Sequence, residues 1–208
     1  MLAENGLEKH AAMNQDRLSQ AMLGKDVVVA TKACMDKTTL YVLATLHQLI
    51  IVEGELSILV LCHSKERANH IKEEFDRFVH YMHGVKIEVS YGEISVKASF
   101  ALLEANPPHI MIATPGRTKT LLDSGVITLE NVKHFVLDEG DVLLKHADVF
   151  CDVEAIFEAA PRQKQVLLYA QNMTYDVRDF CRNYCIHGIL SLNCKFTCFT
   201  SLDFSFRL

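Results

Sequence analysis

Six short apolar runs, rich in β-branched residues, recur along the chain and are separated by longer segments. The runs are Asp26–Ala30, Ser57–Cys62, Lys86–Tyr91, His109–Ala113, His134–Leu137 and Gln165–Tyr169. Two of the intervening segments, 38–51 and 65–82, place apolar residues on one broad helical face. Apolar strands that alternate with amphipathic helices are typical of a parallel sheet covered on both faces. The sequence therefore predicts an α/β fold, a doubly wound parallel sheet with ligands at the carboxyl ends of its strands.

The composition fits one ordinary globular domain. Of the 208 residues, 50% are apolar, and the formal net charge is -5. This charge argues against bulk electrostatic binding of nucleic acid, but it allows a local basic groove. No signal peptide and no apolar run of membrane-spanning length is recognisable, so we expect an intracellular protein that is not secreted.

The seven cysteines are an odd number, which predicts free thiols in a reducing compartment. Two pairs, Cys181 with Cys185 and Cys194 with Cys198, could be interpreted as metal ligands. Their spacing differs from the common zinc patterns. Buried or incidental thiols are the better interpretation.

The stretch VVVATKACMDKTTL, residues 27–40, begins as a buried strand and ends in Lys-Thr at the start of a helical pattern. A nucleotide-binding loop of the pattern G-x-x-x-x-G-K-[ST] occupies such a turn. Here Asp36 stands at the glycine position before Lys37 and Thr38. The pattern indicates a phosphate-binding loop that has lost its glycines.

Further motifs follow at the ends of later strands. TPGR (114–117) follows the fourth run and VLDEGD (136–141) ends the fifth, within the longer stretches YVLATLHQL, ILVLCHSKERANH, PHIMIATPGR, KHFVLDEGD and QKQVLLYAQNM. Their order and separations resemble the first RecA-like domain of DEAD-box RNA helicases. The closest resemblance is to the nuclear mRNA-export and splicing subfamily, the U2AF-associated helicases of the TREX complex. It extends from about Asn5 to about Leu192, and the combination of motifs is highly specific.

The resemblance implies a RecA-like (P-loop NTPase) single domain over residues 1–192, followed by a divergent tail, 193–208. It implies ATP and Mg²⁺ as cofactors, if the site still binds them, and no cofactor otherwise. The implied ligand is single-stranded RNA, bound without sequence preference, and the implied partners are mRNA-export and splicing proteins. Neither a membrane nor DNA is expected as a partner. The implied location is the nucleus, with the cytoplasm as a second location.

The resemblance also assigns roles to residues. Asp138 would hold Mg²⁺, usually through water, together with Thr38, and Glu139 would position or deprotonate the attacking water. The remaining nucleotide-binding positions are Asn14, Lys32, Cys34, Met35, Asp36 and Lys37. The positions that match or approximate RNA contacts are Thr114, Pro115, Gly116, Arg117, Lys65 and Arg67. The positions of the coupling motif are Asp141, Ala170, Gln171 and Asn172.

Several positions depart from the family pattern. The adenine-reading glutamine becomes Asn14, and the two loop glycines become Cys34 and Asp36. The Thr-Arg-Glu-Leu motif becomes SKER (64–67), a Gly-Gly turn becomes GE (92–93), and the Ser-Ala-Thr motif becomes AQN (170–172). The catalytic carboxylates and TPGR remain.

The two glycine replacements weaken the phosphate site in two ways. The Cβ atoms of Cys34 and Asp36 enter space where amide groups would approach phosphate. Asp36 also adds repulsion of roughly 3 kcal/mol for unit charges ~5 Å apart at an effective dielectric of about 20. That repulsion corresponds to about a hundredfold loss of affinity. Lys37 can offset part of this loss, either on phosphate or by pairing with Asp36.

These features favour a degenerate DEAD-box protein that binds RNA or mRNA-export partners with impaired or no ATP turnover. The alternative is an ATP-dependent RNA helicase with residual Mg²⁺-ATP binding and RNA-stimulated hydrolysis, for which a second domain would come from another chain. A third interpretation is a truncated duplicate with little function. The resemblance covers only the first of the family's two RecA-like domains, and the sequence leaves the enzyme question open.

Overall fold

The computed structural model describes residue 15 and residues 17–30, 37–92 and 96–185. A helical segment at 17–22 precedes the first strand. The elements that follow, in chain order, are β1 (Val27–Ala30), α1 (Lys37–Gln48), β2 (Ile58–Leu61), α2 (Lys65–Val79), β3 (Ile87–Ser90), α3 (Val96–Ala105), β4 (Ile110–Ala113), α4 (Pro115–Asp123), β5 (His134–Leu137), α5 (Gly140–Leu143), α6 (Ala147–Ala159), β6 (Gln165–Ala170) and α7 (Tyr175–Tyr184).

The strands form one six-stranded sheet in the order β1-β6-β5-β2-β4-β3, and every neighbouring pair is parallel. The register aligns the strand ends. Leu61 of β2 lies opposite Leu137 of β5 and Ala113 of β4, and Ala30 of β1 lies opposite Ala170 of β6. The loops that leave these strands therefore begin side by side at one edge of the sheet.

Alternate residues of each central strand belong to two separate cores. In β2, Ile58 and Val60 face the core that contains α1 and α2, whereas Leu59 and Leu61 face the core that contains α4 to α7. Both side-chain sets are buried, which explains why the strands read as continuous apolar runs. The sheet is thus covered by helices on both faces.

The predicted fold is confirmed. The six observed strands lie inside the predicted runs, apart from β6, which continues one residue further to Ala170. Helix α1 ends three residues earlier than predicted, before the run Ile50-Ile51-Val52, because β-branched residues are poor helix formers. Helix α2 also ends three residues early, at Val79, and is followed by Gly84 at φ +82°.

Part of the predicted phosphate site lies outside the described residues, namely Asn14, Lys32, Cys34, Met35 and Asp36. The predicted tail, 193–208, lies outside them as well. Within the described part of the chain, no helix combines the length and apolar character needed to cross a membrane.

Candidate functional site

The carboxyl edge of the sheet brings together side chains from four parts of the chain. Lys37 and Thr38 are the first two residues of α1, the helix that follows β1 in the chain, and Arg67 lies in the first turn of α2, which follows β2. Asp138 directly follows β5, and Ala170 ends β6. Because the strand ends are in register, these residues lie close together although up to 133 positions separate them along the chain.

Arg67 and Asp138 form the central contact of the site. The Arg67 Nε and Nη2 groups donate to the two oxygens of the Asp138 carboxylate, with Nη2 3.0 Å from Oδ1. Nη2 also donates to Thr38 Oγ1 at 2.8 Å. Asp138 is 1% exposed, so its charge is compensated inside the protein and not by solvent. Burial alone would lower the pKa of Arg67, but the hydrogen bond and charge of Asp138 raise that pKa above its ordinary value.

The contacts of Arg67 bear on whether Mg²⁺ can bind between Thr38 and Asp138, the two metal-holding positions that the resemblance implies. Mg²⁺ binds oxygen atoms at about 2.1 Å, and the lone pairs of these atoms must point at the ion or at its water shell. Here those oxygens accept hydrogen bonds from a guanidinium. A divalent cation could bind only by displacing Arg67, so the residues as arranged do not fit Mg²⁺. Across the described ranges, no group of three or more His, Cys, Asp and Glu side chains is placed to hold a metal ion.

Lys37 is directed toward the end of β6. Its Nζ donates to the carbonyl oxygen of Ala170 at 2.9 Å. Burial lowers the pKa of Lys37, and the nearby carboxylates of Asp141, Asp138 and Glu139 offset part of that decrease. The amine that should meet phosphate therefore already has an acceptor within the chain.

Glu139 lies in an uncommon backbone conformation next to His63. It has φ 52° and ψ 49°, the left-handed region, and it precedes the short helix α5. Its Oε2 lies 3.2 Å from His63 Nδ1, while Oε1 lies 3.9 Å from Arg67 Nε. Strain of this kind in a non-glycine residue is concentrated at functional sites. The conformation directs the carboxylate toward the α2 side of the site.

Asp141 connects α5 with the loop that follows β6. Its Oδ1 accepts from the Gln171 amide and its Oδ2 from the Asn172 amide, both at 3.0 Å. The Asn172 side-chain amide donates to the same carboxylate at 3.3 Å. The structure thus brings together the four positions of the predicted coupling motif, and their role in coupling stays a prediction.

The family follows from comparison with known proteins. Residues 12–179 match the family model described as DEAD/DEAH box helicase. The chain belongs to this family. It is 39% identical over 183 residues to the human protein named ATP-dependent RNA helicase DDX39A, and 38% identical over 185 residues to the Schizosaccharomyces pombe protein named ATP-dependent RNA helicase uap56. Each alignment covers 88% of this chain, which spans 43% of the length of each relative.

Of the predicted RNA-facing positions of this DEAD/DEAH box domain, some lie near its surface, whereas the two arginines bond to other groups of the chain. Lys65 lies at the domain surface with its Nζ 5.3 Å from the centre of the Tyr91 ring. Thr114 precedes α4, and its amide donates to the carbonyl of Ser90 at 3.2 Å. Pro115 is buried and Gly116 is exposed in the first turn of α4. Arg67 is not at this surface, because its guanidinium is held by Asp138.

Arg117 is 7% exposed, and its guanidinium faces the chain itself. Its Nε donates to the Tyr91 carbonyl at 3.0 Å and its Nη2 to the Gly92 carbonyl at 2.9 Å. These bonds fix the segment that leaves β3 against the start of α4. Contact between Arg117 and RNA phosphate stays a prediction, whereas its contact with the loop is observed.

The sequence reasoning missed the inward direction of Arg67 in this helicase domain. A helical signal was present: position 67 lies four residues before the buried Ile71 and one before the buried Ala68. Residues spaced by four share a helix face, so Arg67 had to point partly inward.

The sequence reasoning also missed two buried groups, Tyr41 and Cys62, whose pKa values are affected by the charge of Asp138. Burial raises the pKa of the Tyr41 hydroxyl and raises that of the Cys62 thiol to about 12, and the Asp138 charge adds to both increases.

Proposed function

We propose that this domain is an RNA-binding member of the DEAD/DEAH box family with impaired or no ATP turnover. It would bind single-stranded RNA through phosphate contacts and assemble with mRNA-export or splicing proteins. The two relatives are named as ATP-dependent RNA helicases, and this supports RNA as the ligand. The subfamily resemblance supports the nucleus as the location.

The observation that carries the proposal is a set of contacts that joins Lys65, Tyr91, Thr114 and Arg117 at the ends of β3 and β4. Arg117 holds the Tyr91 and Gly92 carbonyls, and Lys65 covers the Tyr91 ring. Thr114 is attached to the end of β3 through its amide. An aromatic ring beside a lysine offers stacking and charge together, which is what single-stranded RNA requires. None of these contacts involves Lys37, Thr38 or Asp138.

The impaired turnover is supported by the neighbouring site. The buried carboxylate of Asp138 is neutralised by Arg67, and the Lys37 amine bonds to Ala170. Both are groups that phosphoryl transfer needs for the metal and the phosphates. Cys34 and Asp36, at the glycine positions, add the steric and charge penalties already described.

Fluorescence anisotropy with a labelled single-stranded oligouridine tests the proposal. We expect binding that weakens steeply between ~50 mM and ~200 mM salt and that does not change when Mg²⁺-ATP is added. Lys65→Ala and Tyr91→Ala should each weaken binding by roughly threefold to tenfold, since stacking and charge are each worth about 1 kcal/mol or more.

Lys133→Ala is the matched control. Lys133 is exposed and directly precedes β5, at the opposite edge of the sheet. Its loss should leave RNA affinity unchanged. Binding that is insensitive to salt, or an equal effect of Lys65→Ala and Lys133→Ala, would place RNA elsewhere or exclude it.

The second candidate is residual ATP-dependent helicase activity, and the common location of Lys37, Asp138 and Glu139 favours it. RNA-stimulated phosphate release that disappears in Glu139→Gln would support this candidate. Release at the level of a no-enzyme control, with and without RNA, would reject it.

A further inference from the structure

We infer that Arg67 is a resident cation that takes the place of a divalent metal at Thr38 and Asp138. It both completes this buried site and excludes Mg²⁺ from it. The inference deepens the impaired turnover of the proposed function and rests on it for its biological meaning. Thr38 and Asp138 would therefore form a divalent-cation site if the side chain of Arg67 did not occupy it.

The contacts of the guanidinium support this assignment. It satisfies both carboxylate oxygens of Asp138 and the hydroxyl of Thr38, and it approaches Glu139 at 3.9 Å. The Asp138 carboxylate and the Thr38 hydroxyl are the groups that the metal-holding positions of the family pattern would present to an ion or its water shell. Asp138 is 1% exposed and Thr38 is 3% exposed, so little water reaches them. A second cation at this location would repel the first.

The chemistry of arginine explains why the replacement is stable. A guanidinium keeps its charge at all physiological pH values and matches a carboxylate with two parallel hydrogen bonds. Mg²⁺ gives up its water shell reluctantly and would have to expel a bonded side chain as well. The SKER motif places arginine where the family motif has leucine, which carries no charge to compete with a metal.

The main experiment measures Mn²⁺ binding by electron paramagnetic resonance, with the complete chain and without nucleotide or RNA. Mn²⁺ is a spectroscopic substitute for Mg²⁺ with the same preference for oxygen ligands. We expect no saturable site below ~1 mM in the wild type, which is the weak end of protein cation sites. Arg67→Leu should acquire one saturable site, and adding Asp138→Asn to that variant should remove it.

Arg77→Leu is the matched control, because it makes the same change on the same helix. Arg77 pairs with Glu74 3.2 Å away, and its side chain is 62% exposed. It should not acquire a Mn²⁺ site. Wild-type binding as tight as that of Arg67→Leu, and equally dependent on Asp138, would overturn the inference. Folded Arg67→Leu that binds no Mn²⁺ would overturn it too.

A second measurement does not require any variant to fold. The Arg67 Nε–H in the wild type should give a slowly exchanging nuclear magnetic resonance signal, because it is bonded to a buried carboxylate. That signal should persist unchanged in ~10 mM Mg²⁺, far above the cation levels of dedicated sites. Loss or a large shift of the signal on adding Mg²⁺ would overturn the inference. Failure of RNA binding would leave these results untouched, so the two proposals can fail separately.

Discussion

Among the single residues of the site, Glu139 combines a carboxylate side chain with a backbone conformation that favours glycine. Its left-handed φ of 52° costs a residue with a Cβ about 1 kcal/mol relative to glycine. Its contact with His63 is partly exposed and is worth at most about 1 kcal/mol. The contact with His63 therefore does no more than offset the backbone cost, and the carboxylate adds no net stability at this position.

Comparing Glu139→Gly with Glu139→Ala isolates this cost. Both variants remove the carboxylate and its contact with His63, so they differ only in the Cβ atom. Because glycine tolerates positive φ, Glu139→Gly should be more stable than Glu139→Ala by about 1 kcal/mol. Urea denaturation followed by circular dichroism measures the difference. Equal stability would show that the backbone at 139 relaxes freely.

The elements themselves could be predicted because their signals are local. Each strand is a short β-branched run, and helix α2 begins at Lys65 because Ser64 caps it by accepting from the Arg67 amide. Motif positions also predicted that Lys37 and Asp138 would share one edge. The rotation of α2 was harder to predict, because one step along a helix turns a side chain by about 100°. The family motif has leucine at position 67, so the motif comparison could not predict the direction of an arginine there.

Asp141 ties α5 to the end of β6, and its removal should loosen that loop alone. Asp141→Ala frees the Gln171 and Asn172 amides, whose exchange with deuterium should accelerate about tenfold. Global stability should decrease by about 1 kcal/mol or less, since the carboxylate is partly exposed. Asp148→Ala, an exposed carboxylate in α6, should leave the two amides unchanged. Unaltered exchange in Asp141→Ala would contradict the observed bonds.

His134 at the start of β5 should make the fold sensitive to mild acid. Its Nδ1 lies 2.9 Å from Gln165 Oε1, and Gln165 Nε2 donates to the Ala21 and Lys25 carbonyls. Gln165 therefore offers its oxygen to His134, whose Nδ1 must carry a proton as the donor. Burial lowers the pKa of His134. These hydrogen bonds connect β5, β6 and the segment before β1, and they require a neutral imidazole at His134.

The sign of the pH effect follows from this shift. As the pH falls through the unfolded value of about 6.5, the unfolded chain binds a proton that the folded chain does not, so stability decreases. The slope should reach at most about 1.4 kcal/mol per pH unit between pH 6.5 and the lower folded pKa. His134→Gln should flatten that slope, whereas the exposed control His47→Gln should preserve it. Urea midpoints from pH 7.5 to 5.5 provide the measurement.

Across the whole molecule, the impaired turnover that we propose rests on two independent obstacles to nucleotide binding. One is the presence of Cys34 and Asp36 at the two glycine positions of the sequence, and the other is the contact of Arg67 with Asp138. On this proposal, the first obstacle would penalise phosphate binding and the second would exclude the metal. Either obstacle alone would then impair the site, so repairing one should have little visible effect.

Isothermal titration of Mg²⁺-ATP tests this combination. Cys34→Gly with Asp36→Gly should gain little affinity that depends on Mg²⁺, because Arg67 still holds Asp138. Adding Arg67→Leu should produce a gain of tenfold or more, which corresponds to about 1.4 kcal/mol. A full Mg²⁺-dependent gain in the double glycine variant would mean that Arg67 leaves when the metal arrives. No gain in a folded triple variant would contradict the phosphate-loop interpretation of residues 31–38.

Strand β3 ends the described sheet and is only half buried, which has a consequence for handling the protein in solution. An open strand is a template on which a second molecule can add its own strand and start aggregation. Glu88 lies in this strand, and burial raises its pKa, partly offset by the charge of Lys72. A carboxylate in that position opposes the addition of a second molecule's strand only while the carboxylate is ionised. The edge therefore loses its protection at a higher pH than an ordinary glutamate would allow, and the protein should stay monodisperse longer at neutral pH than in acidic buffer.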